Sequence, residues 1–366
     1  MTRFGIMQLA LPARGSGAER SGTYVPDRIW RGFHSDGRKH GLQVLFFRVE
    51  DVDFARGRVH AWTSSSPDGR SGWRRGWHPL PHVLYENYPI GPKGKSRRAV
   101  GMKRAFARLG IPVFNPSFFN KAELQRLLSA SEVRRFLPAG KAARSVSDVT
   151  GLLRRHRSVY LKPVNGTQGR GILELKRRSH GRVKVKSGKR ADRVGRKEFI
   201  RIMSRLLRRE RYLVQEGLSL RKKGRHKIDF RVIVHRGADG RWHSAGIRPK
   251  LGGSGSIVTN IHAGGSKTTW TRLSAWARRS GRPLPSARRL EEAALVAGRV
   301  LTRFRPTLSH LGIDVALDRR NRIFLLDFNP VPGRGLLTPS MMKRVTYLTT
   351  GFAKYLASRG ASARNR

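Results

Sequence analysis

The chain of 366 residues contains no cysteine, which excludes disulfides, thiolate nucleophiles and cysteine-ligated zinc and leaves the redox compartment open. Any chemistry must rest on oxygen and nitrogen groups. No apolar run approaches the roughly 20 residues that a membrane helix needs, so no span is expected. The opening MTRFGIMQLALPARG has a short apolar run. With one preceding arginine and no small-residue cleavage site, it reads as a first β-strand rather than a secretory signal, and the expectation is a cytoplasmic protein. Zinc spacings such as HExxH are missing among the 12 histidines. Aromatic residues are few, at 8%, but apolar runs recur at ordinary spacing, so the chain reads as globular rather than disordered.

Acidic residues are scarce as well: 23 Asp plus Glu stand against 77 Lys plus Arg, a formal net charge of +54. Such a field attracts polyanions, whether nucleic acid, acidic polymer or phosphate-rich ligand, and opposes compaction by self-repulsion. The basic residues are scattered through nearly every segment, as in Arg154, Arg155 and Arg157 or Arg208, Arg209 and Arg211, and form no dedicated tail. A surface-wide bias and a purposeful polyanion-binding surface both remain open. No nucleic-acid reading motif is present, so only sequence-independent nucleic-acid binding would follow. Trp73 and Trp77 could stack on bases but make a weak signal, in a Ser-, Gly- and Arg-rich stretch (63–77) that reads as an exposed loop or hairpin tip.

Length favours two or three domains. Residues 1–115 alternate short apolar runs with turn-rich linkers and end in a helical MKRAFARLGIPVF, which predicts a small α/β domain. Residues 120–137 predict one helix with an asparagine cap. VYLKPV and ILELK then read as strands around a glycine-rich turn, EFIRIMSRLLRRE as a helix, and YLVQEGL as a strand. DFRVIVHR and RWHSAGIRPK predict a hairpin, EEAALVAGRVLTRF a helix, and IDVALD and RIFLLDF two further strands.

Two elements carry candidate chemistry. The first is Lys162 with the loop Asn165, Gly166, Thr167, Gln168, Gly169, Arg170 and Gly171, whose glycines let backbone amides approach an anion. It lacks the GKS or GKT of a Walker loop, and a simple hairpin connection is an equal alternative. In the second, Asp314 lies in one strand and Asp327 and Asn329 share a face of the next, an all-oxygen set suited to Mg²⁺. Neighbouring Arg or Lys could instead satisfy either carboxylate. His262 could contact phosphate or simply make structural hydrogen bonds.

The ordered segments LKPVNGTQGRGI, YLVQEGL, DFRVIV, IRPK, VTNIHAGG, GIDVALD and LLDFNPVPG resemble an ATP-grasp domain, and most closely the YheC/YheD family, described as endospore coat-associated. TNIHAGG also resembles the RimK and glutathione synthetase branch, which joins a carboxylate to an amine. The resemblance covers about 115–345 and implies an α/β (α+β) fold in which two subdomains hold ATP between them, a lid at about 145–218 and a metal-site subdomain at about 219–350, within an ATP-grasp domain of 116–366. It assigns Lys121 and Lys162 to the phosphates and adenine region, residues 165–171 to a flap, and Gln215, Glu216 and Leu218 to the adenine hinge. Asp229 would contact ribose and Asn260 the nucleotide. Arg231 and Arg248 would stabilise the transferring phosphoryl group or hold the acidic substrate, and Asp314, Asp327 and Asn329 would bind Mg²⁺, with Mn²⁺ as an alternative. Position 327 departs from the family, which usually has Glu there. The implied activity is an ATP-dependent carboxylate-amine ligase with unknown substrates, associated with spore material; a non-catalytic nucleotide- or polyanion-binding coat protein is the other expectation.

Overall fold

In a computed structural model describing residues 1–8, 11, 26–87, 93–115, 120–166, 171–188, 190–254 and 265–364, three sheets follow one another along the chain. The first has seven strands: β1 (Thr2–Met7), β2 (Leu42–Phe47), β3 (Val52–Asp53), β4 (Arg58–Ser64), β5 (Trp73–Pro79), β6 (Val83–Glu86) and β7 (Val113–Phe114). Their order is β3-β4-β2-β1-β6-β7, with β5 also on β4, and β1 runs parallel to both β2 and β6. Parallel strands are covered on both faces, which is why FGIM and VLFF are continuous apolar runs. Helix α1 (Arg28–Lys39) makes the crossover from β1 to β2, with the Asp27 side chain accepting the Ile29 and Trp30 amides at its start. Helix α2 (Lys93–Arg108) leads into β7.

Of the two readings of the stretch 63–77 the hairpin tip holds and the exposed loop does not, because β4 and β5 pair antiparallel around it. Its second half is β5, in which alternate residues turn inward: Trp73 is 2% exposed and belongs to the core, and the Arg75 side chain is equally buried. An arginine can sit there because Asp51 lies 2.5 Å from its guanidinium and offsets the charge. Only residues 65–72 form a turn, with Gly69 and Gly72 in the left-handed region.

Helix α3 (Lys121–Ser129) starts where expected, on the Asn120 cap, but ends earlier. The Ser131 hydroxyl donates to Leu128 O and accepts the Val133 amide, so the backbone restarts as a 3₁₀ turn at Glu132–Phe136 instead of continuing the helix.

The second sheet is antiparallel: β8 (Gly140–Ala143), β9 (Ser158–Pro163), β10 (Leu173–Arg177), β11 (Val183–Ser187), β12 (Arg190–Val194) and β13 (Tyr212–Glu216), in the order β12-β11-β10-β9-β13-β8. Helices α4 (Val146–Arg155) and α5 (Arg196–Arg209) cover one face, burying Val149, Leu153, Phe199 and Met203 against Val159, Leu161, Leu175 and Val214. By alternation Tyr160, Lys162, Glu174 and Gln215 occupy the other face.

The third sheet holds β14 (Lys222–Lys223), β15 (His226–Arg236), β16 (Trp242–Leu251), β17 (Ser266–Lys267), β18 (His310–Leu317) and β19 (Ile323–Asn329), in the order β17-β16-β15-β18-β19 with β14 on β15. Helix α6 (Trp270–Arg279) and helix α7 (Ala287–Phe304) pack on one face, where Leu290, Ala294, Ala297 and Leu301 join Phe230, Val232, Ile313 and Val315. Gly298 permits that approach, since a Cβ there would lie 2.8 Å from the Trp242 ring.

The opposite face is shared. At one end of the strands it carries α8 (Pro339–Arg364), through Met341, Val345 and Leu348 against Ile233 and Ala245. Helix α8 then continues onto the first sheet, where Phe352 packs with Phe4, Trp30 and Phe114. Thr346 Oγ1 also donates to the buried Asp36 carboxylate at 2.6 Å. Serving two partners in turn, this helix shows no single apolar stripe, and the sequence pattern does not single it out. Among the described residues no helix is long and apolar enough to cross a membrane.

Arg75→Ala leaves the Asp51 carboxylate buried and unpaired, so the variant should lose about 3–5 kcal/mol of stability. Urea unfolding measures this; a loss under about 1 kcal/mol, the range of an exposed pair, would contradict the burial assigned to β5.

Candidate functional site

The far end of that shared face carries a polar row. Cross-strand register pairs Arg248 with Arg231, Arg231 with Asp314, and Asp314 with Asp327, so four side chains line up across β16, β15, β18 and β19. In the next row Asp229 stands opposite Lys250. On the α8 side, Asn329 pairs with Gly312. Asp327 of β19 reaches this face through an irregularity: the register slips between Asp314 and Val315, where Leu326 is the extra residue. Leu325 thus stays in the core at 1% exposure while Asp327 turns to the polar side.

Asp314 is the best-held group in the row. The Arg231 guanidinium grips it with both arms, Nε to Oδ1 at 2.7 Å and Nη2 to Oδ2 at 3.0 Å, and Lys250 Nζ donates to Oδ1 at 2.9 Å. Lys250 Nζ also lies 3.3 Å from Asp229, and both of those side chains are 2% exposed. Burial opposes the charge on Asp314, but Arg231 and then Lys250 outweigh it and hold the carboxyl well below the usual carboxylate range. Burial likewise works against the Lys250 ammonium, and Asp314 with Asp229 overcomes it and raises the lysine's affinity for its proton. Gly312 makes room for this packing: a Cβ there would sit 2.9 Å from Arg231 Nη1.

Asp327 differs in kind. Its side chain is half exposed, and Lys121 Nζ is 3.9 Å away. Lys121 Nζ donates to Gly166 O at 2.6 Å, and Lys162 Nζ donates to Leu326 O at 3.3 Å, so two lysines of the preceding segments converge on the Asp327 end of the row. Burial pulls the Lys162 proton affinity down, with Asp327 partly opposing it. Asn329 Oδ1 accepts the Val331 amide at 2.9 Å. Arg248 keeps its Nε buried and without a hydrogen-bond partner among the described residues.

The described flanks of the glycine-rich segment lie close to Pro163: Cβ atoms at Gly166 and Gly171 would fall 2.9 Å and 2.8 Å from that ring. Asn165 is exposed. Thr167, Gln168, Gly169, Arg170, Asn260 and His262 lie outside the described residues.

The hinge side chains have local partners rather than a place in the row. Gln215 Nε2 donates to Gln125 Oε1 at 2.8 Å, and Glu216 accepts the Ala139 amide at 3.1 Å and lies 3.0 Å from His156. Leu218 is partly buried in the link between the second and third sheets and accepts the Leu220 amide.

A second polar contact joins those sheets. Tyr160 OH donates to Glu174 at 2.6 Å, and Lys227 Nζ donates to Tyr160 OH at 3.1 Å and lies 5.5 Å from the ring centre. Burial lowers the Lys227 pKa to about 8, with Glu174 opposing. Tyr160 sits two residues before Lys162 and Lys227 two before Asp229, so these contacts and the polar row face one cleft between the sheets. Sequence reasoning passed over Lys227, Tyr160, Glu174 and Lys250. The signal was available, because Lys227, Asp229 and Arg231 continue a single period-two polar stripe.

The row can balance anions against a cation. Lys162, Lys121 and Arg248 offer positive charge on either side of a half-exposed carboxylate. Among the described residues no three acidic or histidine side chains form a cluster able to hold a metal by themselves. Asp327 and the remaining lone pairs of Asn329 and Asp314 make an incomplete oxygen set, which fits Mg²⁺ when ligand phosphates or waters supply the other positions.

Comparison with known proteins follows the same lines. A model for a YheC/D like ATP-grasp matches residues 110–356. The endospore coat-associated protein YheD of Bacillus subtilis (strain 168) is 27% identical over 319 residues, covering 82% of this chain and 70% of its own. YheC of the same organism, also named endospore coat-associated, is 20% identical over 309 residues, 80% of this chain and 81% of its own. Among solved structures, the D-alanine-D-alanine ligase from Coxiella burnetii superposes with a TM-score of 0.51 at 11% identity, covering 100% of this chain and 98% of that one. The ATP-grasp ligase PsnB, complexed with minimal precursor, gives 0.54 at 11% identity, covering 96% and 99%. At such identities the likeness is one of fold.

The depressed Asp314 ionisation predicts an acid-labile site. Its folded pKa lies below the unfolded value of about 3.9, so the stabilisation is present above about pH 4 and is lost as pH falls through the folded value. Urea midpoints between pH 2 and 5 should fall more steeply in the wild type than in Asp314→Asn; parallel curves would refute the ionised, doubly paired carboxylate.

Proposed function

The chain belongs to the YheC/D like ATP-grasp family, and from that membership we propose that it is an ATP-dependent ligase joining a carboxylate to an amine through an acyl phosphate. A single observation carries this function: the cross-strand row Arg248, Arg231, Asp314 and Asp327 faces Lys162 and Lys121 within one cleft. Carboxylate activation needs several cations around a phosphate chain, and that arrangement supplies them.

Lys162 and Lys121 take phosphate oxygens of ATP, and the partly desolvated Lys162 gains most when an anion arrives. Mg²⁺, or Mn²⁺ in its place, would be held by Asp327 and Asn329 beside Asp314 and would supply charge neutralisation at the phosphates. Arg231 is fixed by Asp314, so its outward side offers positive charge without reorganisation. Arg248, with its unpartnered Nε, receives the substrate carboxylate. A carboxylate oxygen attacks the terminal phosphorus as the bond to ADP breaks, and an amine then displaces phosphate from the acyl carbon. Residues 165–171 act as the flap that keeps water from the acyl phosphate. The adenine lies at the 215–218 hinge, with Asp229 on the ribose side and Asn260 on the nucleotide. Solved PsnB complexes with Mg and ADP support a nucleotide in this cleft, and the names of YheD and YheC support spore association.

A second reading, a non-catalytic nucleotide- or polyanion-binding coat protein, is favoured by exposed arginines gathered at one end of the second sheet. Arg177 bonds to the Arg154 and Arg157 carbonyls and Arg178 to that of Arg182, which brings the basic end of α4 and the basic β10–β11 turn together. It predicts polyanion binding with a steep salt dependence and no ADP release with any carboxylate.

Lys162→Ala and Asp327→Ala should each weaken Mg-ADP binding at least tenfold by calorimetry, about 1.4 kcal/mol. Normal binding by both variants would sink the site. Asp327→Glu, which restores the longer carboxylate usual in the family, should raise carboxylate-dependent ADP release.

A further inference from the structure

The first sheet brings a set of polar groups of its own to the ends of β1 and β6. Phe4 and Ile6 face α1, whereas Met7 faces the other side, so Gln8 falls on the α1 face just past the end of β1. Gln8 is 1% exposed, and neither atom of its amide has a hydrogen-bond partner among the described residues. A buried amide left unpaired on both sides destabilises a fold, so its retention calls for a ligand or another compensating role.

A second unpaired group faces the same place. Arg334, in the single turn Arg334–Leu336, lays its guanidinium 4.1 Å from the centre of the Trp30 ring. Burial lowers its proton affinity, and the charges it feels are those of Tyr85 and Asp27. Among the described residues it forms no ion pair. Trp30 is in the first turn of α1, and Tyr85 on β6 is the register partner of Ile6, so Gln8 is diagonal to Tyr85. Gln8, Tyr85, Trp30 and Arg334 therefore converge where parallel strands end, the edge at which open parallel sheets take ligands. Arg334 follows Asn329 by five residues, which limits its distance from the metal-site strand to about 17 Å.

The two unpaired groups ask for different things. A guanidinium matches a carboxylate or a phosphate. The Gln8 carbonyl needs a donor, which a fully ionised dicarboxylate lacks and an amino acid or peptide has in its N–H. We propose that this cluster binds the amine-bearing substrate by that substrate's own carboxylate, which Arg334 holds while Gln8 pairs with the adjoining N–H. The amine substrate is thus an amino acid or short peptide with a free C-terminus. This assignment rests on the ligase function above, whereas its test does not.

The full-length protein, with Mg-ADP present, is titrated with glycylglycine and with glycylglycinamide, and bound ligand is read by saturation-transfer NMR. Glycylglycine should bind and the amide, which lacks the carboxylate, should not. Arg334→Ala and Gln8→Leu should each weaken glycylglycine binding at least tenfold, and Arg334→Lys should retain part of it. Gln8→Leu should melt at or above the wild-type temperature, because it removes an unpaired buried amide. Equal binding of the two dipeptides, no binding to the wild type, or wild-type affinity in both variants would overturn the assignment. Mg-ADP binding measured alongside separates the two claims. Its absence with the dipeptide discrimination intact refutes the ligase site alone, and its presence without discrimination refutes the cluster's assignment alone.

Discussion

Asp314 buried between Arg231 and Lys250 is the interaction on which the site depends. A carboxylate taken out of water is tolerated only when paired, and here it has a bidentate guanidinium and an ammonium that is itself shared with Asp229. The network spans β15, β16 and β18. It orients Arg231 toward the cleft, keeps a carboxylate ionised beneath it, and sets the row from which Asp327 projects. In a protein with a formal charge of +54, it also places negative charge between basic groups and reduces their mutual repulsion.

The remainder of the fold aims other elements at this row. Buried Asn115, at the end of the first sheet, accepts the Ser309 and His310 amides and donates to Pro330 O, so it ties that sheet both to the start of β18 and to the segment leaving β19. The His310 imidazole stacks on His235 at 4.8 Å, and burial keeps both rings neutral. Helix α8 adds apolar contacts to both the first and third sheets. The second sheet touches the third through polar contacts, Lys162 to Leu326 O and Lys227 to Tyr160.

Much of this was legible from residue order. Alternation marks β9, β10, β15, β16, β18 and β19. The segments around Lys162, Gln215, Asp229, Arg231, Arg248, Asp314 and Asn329 carry the family resemblance that the match over residues 110–356 bears out. Local composition misled at β5, where tryptophan and arginine in a glycine-rich stretch resemble a loop, because the Asp51 carboxylate that permits Arg75 to be buried lies 24 residues away. It also misled at the end of α3, where one serine hydroxyl outcompetes helical hydrogen bonding.

The sequence alone determined the strands that carry the site, the order of the motifs and the oxygen and nitrogen groups available for chemistry, because those follow from local period and composition. Tertiary structure alone decided the partners. Lys250 became the second cation on Asp314 through the β15–β16 register, the extra residue at Leu326 turned Asp327 out of the core, and packing against α1 brought Gln8 and Arg334, more than 300 positions apart, to one edge. Such pairings depend on register and on which faces pack together, and a one-dimensional pattern contains neither.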